Sequence, residues 1–132
     1  MNCLKPEQMI NLNIWGRNLN IKIVADIFPG EEITELQNET FIRFMESKDE
    51  IFKQAFIRFK EYCLHNYSDK VDEKFENIFS YIIPKSIYIR REQGDKHIAG
   101  IFCKFRFDRE NDLVAYVENE CVTKIGTQDI IL

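Results

Sequence analysis

Histidine is scarce in this chain, and the scarcity narrows what it can do. Only His65 and His97 are present, one late in a helical pattern and one just after a turn. Neither stands near a serine-elbow or cysteine motif, so nucleophilic catalysis lacks its usual base, and a solvated setting is expected for both. The five glycines stand singly as turn residues, which leaves no glycine-rich loop to cradle a phosphate. Cys3, Cys63, Cys103 and Cys121 are far apart, without a C-x-x-C pair or a histidine at ligand spacing. They suit reduced thiols acting as small hydrophobes better than a disulfide frame or a zinc site, and no metal or cofactor is expected. No apolar run approaches the length of a membrane span, and MNCLKPEQ has no apolar core of the signal-peptide kind. A cytoplasmic protein with no membrane partner is the expectation.

Phenylalanine, by contrast, is abundant, with eleven residues. A bulky aromatic core follows, and 132 residues suffice for one domain, 1–132. Net charge is −4, which disfavours a general nucleic-acid partner. Its distribution is uneven. Residues 31–50 carry seven carboxylates against Arg43 and Lys48, a net of −5, whereas residues 84–107 carry six cations against Glu92 and Asp95, a net of +4.

Alternating apolar residues from Ile10 to Ile27, broken at WGRN, read as a β-hairpin closed by Pro29 and Gly30. The period then becomes helical, with Ile33, Leu36, Thr40, Phe41, Phe44 and Met45 on one stripe. Ser47 and Glu50 resemble a capping box that starts a second helix, with Phe52, Ala55, Phe56, Phe59 and Cys63 inward. A shorter third helix is expected at 70–80, stopped by Pro84. Alternation returns after Pro84: Ile87 and Ile89, the turn EQGDK, Ile101 to Phe107, an acidic turn, Leu113 to Val117, and Cys121 to Ile125. The order ββ-αα(α)-ββββ predicts an α+β fold: an antiparallel sheet of about six strands with helices on one face.

The acidic turn reads Asp108-x-Glu110-x-Asp112, the opening spacing of a calcium loop. Leu113 then stands where such a loop needs glycine, and Asn119 where it needs a bidentate glutamate. Turn building is the better account. Paired carboxylates for glycoside hydrolysis would need a defined cleft, of which the sequence gives no sign. No catalytic residues are therefore assigned.

If Ile21, Ile23, Phe105, Phe107, Ala115 and Val117 face the helices, their neighbours face outward. The outward set includes Trp15, Lys22, Val24, Phe28, Tyr88, Arg90, Phe102, Lys104, Arg106, Val114 and Tyr116. Interleaved aromatic and basic residues suit three roles: stacking single-stranded RNA, anchoring a protein, or plain cross-strand stabilisation. A protein partner is preferred, because no RNA-binding aromatic motif is present and the chain is acidic. Trp15, Tyr88, Arg90, Phe102, Lys104, Arg106 and Tyr116 are the candidate binding residues, and a second copy of the chain could cover the same face. The acidic segment suits an inhibitor steered onto a basic toxin or nuclease.

KFRFDRENDLVAYVENE followed by VTKIGTQDI resembles the C-terminal signature of small bacterial domains of unknown function. In that family an aromatic-Asp-x-Glu-His-Gly-Leu turn joins two strands. ITELQNETFIRFMES and IFKQAFIRFKEYC are similar to its two helices, and IIPKSIYI to its re-entry strand. Asp108 and Glu110 match the signature, while Asn111 and Asp112 replace its His and Gly. The left-handed backbone is open to both Asn and Asp, so the turn can survive. The resemblance implies no established activity; similar small acidic domains look like immunity proteins against bacterial toxins. A non-enzymatic protein-binding domain is thus expected. The rival is a small-ligand or catalytic domain with a pocket between sheet and helices.

Overall fold

The computed structural model describes residues 4–91 and 94–132. Six strands form one sheet in chain order: β1 (Glu7–Ile14), β2 (Arg17–Ala25), β3 (Ile82–Ile89), β4 (Ile98–Phe105), β5 (Asp108–Glu118) and β6 (Cys121–Thr127). Helices α1 (Glu35–Glu46) and α2 (Lys48–Asn66) lie between β2 and β3. The fold is α+β with both helices on one face of the sheet. All pairs are antiparallel except β2 with β3, which run parallel. The helical crossover returns the chain to the same end of the sheet, and a parallel neighbour is the result.

Local chemistry explains most boundaries. Trp15 and Gly16, at φ 51° and 88°, form the two-residue loop between β1 and β2, whose left-handed backbone matches strand twist. The capping box is at Thr34, not Ser47. The Thr34 hydroxyl accepts from Gln37 N at 3.0 Å and Gln37 Oε1 accepts from Thr34 N at 3.0 Å, so α1 carries the reciprocal cap. Ser47 precedes α2 without a side-chain cap bond. The expected third helix is replaced by turns and a short 3-10 turn at Ile78–Ser80, which still buries Phe75 and Ile78. Pro84 lies inside β3, at its register shift against β4, where a missing N–H is tolerated. The expected EQGDK turn includes residues 92 and 93, which fall outside the described residues.

Between sheet and helices, Phe41, Phe44, Phe52 and Phe59 pack on Ile21, Ile23, Ile87, Ile101, Ala115 and Val117. The Phe44 and Phe52 rings meet edge-on at 5.9 Å. Fully burying each such side chain stabilises the fold by about 1.5–3 kcal/mol. Apolar side chains thus fill most of the space between the two layers, with Gln37 and Thr40 as the buried polar groups among the described residues. Among the described residues, no helix is long and apolar enough to cross a membrane.

Candidate functional site

The sheet face away from the helices is not open. A 3-10 turn at Gln128–Ile130 folds back over it, and Ile131 joins Ile98, Phe102, Val114 and Tyr116 in a second buried cluster. Strand register aligns this face in rows: Val24, Tyr88, Gly100, Tyr116 and Lys124 in one, Lys22, Ser86, Phe102, Val114 and Gly126 in the next. The two glycines are the seats of the tail. A Cβ on Gly100 would stand 2.8 Å from Ile131 Cδ1, and one on Gly126 would stand 2.8 Å from Ile130 Cγ2. Phe102 and Tyr116 are only 8% and 7% exposed, so these two expected anchors belong to a small core. Tyr88 is half-buried; burial first, then its hydrogen bond to Asp26, pushes its phenol well above the usual tyrosine range. Arg90 is half-buried beside it.

Trp15 lies on the other side of the sheet. Its ring packs edge-on against Phe56 and Phe59 at 6.0 and 5.9 Å, and Nε1 donates to the Phe52 carbonyl at 2.7 Å. The left-handed turn aims the side chain at α2, where strand alternation no longer applies. With Asn13, Phe52, Phe56, Ile57, Asp49 and Lys53 it lines a groove of about 530 Å³. Ile57, 50% exposed, stands at its edge. Glu46, Asp49 and Glu50 are exposed at the adjoining α1–α2 junction.

Lys104 and Arg106 remain exposed and line a second cleft of about 450 Å³ at the β3–β4–β5 end of the sheet. Its geometry comes from a large bulge. Phe105 pairs with Asp108 and Cys103 with Leu113, so residues 109–112 oppose Lys104 alone. The acidic stretch is therefore not the hairpin turn. That turn is Arg106–Phe107, and Asp108 opens β5. Asp108 Oδ1 accepts from the backbone N–H of Glu110 and of Asn111, both at 3.1 Å, and Oδ2 accepts from Asn111 Nδ2 at 3.2 Å. The Asn111 side chain, more than its backbone amide, holds the Asp108 carboxyl below the usual Asp range. Neither Asn111 nor Asp112 has the left-handed backbone allowed for above. Glu110 is exposed and contributes its backbone to the knot.

Gln128 ties the tail to this bulge, accepting from Asp112 N at 2.7 Å and donating to Asn111 Oδ1 at 2.9 Å. Lys85 completes the network with a 2.8 Å ion pair to Asp112. The two motifs of the sequence resemblance thus meet in space. Lys85, Arg109, Phe79 and Ile83 also line the cleft. Lys104 and Arg106 are among the binding residues expected from the sequence, and the basic bias of residues 84–107 points the same way; the bulge that brings Arg109 to them carries no sequence signal.

His97, Cys63 and Cys103 are held in packing contacts. His97 is docked, not solvated: Nδ1 lies 3.0 Å from Thr40 Oγ1 and Nε2 3.6 Å from Glu39. Thr40 donates its own proton to the Leu36 carbonyl at 2.8 Å, so it accepts from His97 Nδ1–H and is not activated as a nucleophile. Burial pushes the Cys63 thiol up to about 11 and the Cys103 thiol well above its ordinary value. Both stay protonated at neutral pH and are poor nucleophiles. No cluster of metal-ligating side chains is present among the described residues.

These features define a small α+β domain with two separate surface depressions, one aromatic with Asp49 and Lys53 at its rim and one with a basic excess. The chain belongs to the family described as Domain of unknown function (DUF6985), whose model matches residues 4–132. No curated protein matches it. No solved structure matches it either.

Proposed function

We propose that the chain is a non-enzymatic protein-binding domain that docks a basic partner at the Trp15 groove, in the manner of a toxin-immunity protein. The observation that carries this is the groove itself: an apolar floor of Trp15, Phe52 and Phe56 with Ile57 exposed, Asp49 and Lys53 on the rim, and Glu46 and Glu50 exposed beside it. Trp15 is held by its bond to the Phe52 carbonyl, so little side-chain freedom remains to be lost on binding. Interface hot spots are commonly aromatic anchors held in well-packed pockets near the centre of the contact. Glu46 and Glu50, at the adjoining α1–α2 junction, add a steering field beside it, having no cation within 4 Å among the described residues. A lysine or arginine of the partner could lay its stem on the floor and its charge against Asp49.

Affinity capture from the native host with the wild-type chain tests the proposal. A basic protein should be retained, with retention falling as salt rises. It should be lost with Ile57→Asp and with the double variant Asp49→Lys/Glu50→Lys. Retention that ignores both variants, or recovery of a metabolite and no protein, would refute it.

A further inference from the structure

We propose that the basic cleft between β3, β4 and the β5 bulge is a binding site for a small organic anion, a carboxylate or phosphate carried on an apolar, ring-sized body. Four cations line it, Lys85, Lys104, Arg106 and Arg109, together with two carboxylates, Asp108 and Asp112. Both carboxylates are already engaged. Asp108 is held by the backbone and side-chain N–H groups of its own bulge, and Asp112 by Lys85. Lys104, Arg106 and Arg109 have no carboxylate within 4 Å among the described residues. Three cations without an ion-pair partner therefore line one concavity, and four cations against two carboxylates leave it a net charge of +2.

The walls select the rest of the ligand. Phe79, Tyr81 and Ile83 form the apolar part of the lining, and Ile83 is 44% exposed although it lies in a β-strand. A volume of about 450 Å³ is that of a small-molecule site, where apolar walls and a few placed charges act together. The site is also braced. The Asp108–Asn111–Gln128 network fixes the bulge, and Arg106 N donates to the Tyr81 carbonyl at 2.8 Å, closing the floor. A bulge beside a charged concavity is a common way to re-aim side chains toward a ligand. This site is independent of the Trp15 groove.

The test is an NMR titration of the ¹⁵N-labelled full chain with phenyl phosphate, benzoate, inorganic phosphate and benzylamine. Phenyl phosphate and benzoate should shift amides of residues 79–85 and 104–112, with weak affinity on the order of 1 mM. Inorganic phosphate should bind several-fold more weakly and benzylamine not at all. Lys104→Gln and Arg106→Gln should each weaken phenyl phosphate about tenfold, the size expected for a lost charge-assisted contact. Lys5→Gln, ahead of β1, should change nothing. Both cleft side chains are exposed, so the spectrum should otherwise stay native. The proposal is overturned by an absence of shifts at about 10 mM of either aromatic anion, or by equal response to benzylamine. Indifference to the Lys104→Gln/Arg106→Gln double variant would overturn it too. Inorganic phosphate binding as tightly as phenyl phosphate would remove the apolar body from the claim.

Discussion

Replacing Ile131 by alanine tests whether the tail closes the outer face of the sheet. Ile131 is 2% exposed and packs with Ile98, Phe102, Val114 and Tyr116. The substitution removes three carbons, worth about 2.5 kcal/mol at ~0.8 kcal/mol per buried methylene. A tail segment can partly collapse into the gap, so little should be added for the cavity. In urea, with a slope of ~1–3 kcal/mol per molar, the midpoint should fall by roughly 1 M. Thermal unfolding should shift by roughly 8 °C. Gly100→Ala gives an independent handle on the same contact, because its new methyl would meet Ile131 Cδ1 at 2.8 Å. Overpacking of this kind costs about 1–3 kcal/mol. In the Ile131→Ala background that contact is gone, so the two losses should fall short of additivity by about 1 kcal/mol. The Phe102 and Val114 contacts at 3.1 and 3.2 Å should keep part of the Gly100→Ala penalty. A loss under ~0.5 kcal/mol for Ile131→Ala, with strictly additive effects, would refute the docked tail. It would also restore the outer face as an open aromatic surface.

Thr34→Ala should cost about 1 kcal/mol in urea unfolding, whereas Ser47→Ala should stay within ~0.5 kcal/mol, because only Thr34 carries a cap bond. Asp108 is held below its ordinary titration range in the folded chain. Its contribution is therefore present above the unfolded value and lost as pH falls through the folded one. In Asn111→Ala the Asp108 midpoint followed by NMR should move up toward an ordinary aspartate; an unmoved midpoint would rule out the Asn111 amide as its cause. Of the three described thiols, only exposed Cys121 should react quickly with a thiol reagent at about pH 8. Cys63 and Cys103 should become reactive only on unfolding, and fast native labelling of either would contradict their burial.

The hairpin and the helical stripes could be read along the chain because burial of one face imposes periods of 2 and 3.6 wherever an element packs on a single core. Phe41, Phe44, Phe52 and Phe59 were found this way, and so was the return to strands that takes Ile87, Ile101 and Val117 inward. Non-local contacts were not legible. The capping box at Thr34 and the box-like Ser47–Glu50 spacing are nearly equivalent as text, and only the path from β2 into α1 makes the first one form. Trp15 obeyed alternation on paper but sits at a left-handed turn, which sends its ring to α2.

The order of strands and helices, the aromatic core and the separation of acidic from basic segments were thus determined by the sequence alone. Tertiary structure decided which surfaces stay free. Alternation marks Phe102, Lys104, Arg106 and Tyr116 as facing away from the helices, but it cannot say that Ile131 returns over Gly100 to cover Phe102 and Tyr116. Nor can it show that a bulge at residues 109–112 gathers Lys104, Arg106 and Arg109 around a cleft. Periodicity reports a side chain's direction from its own strand, whereas exposure depends on what distant parts of the chain pack against it.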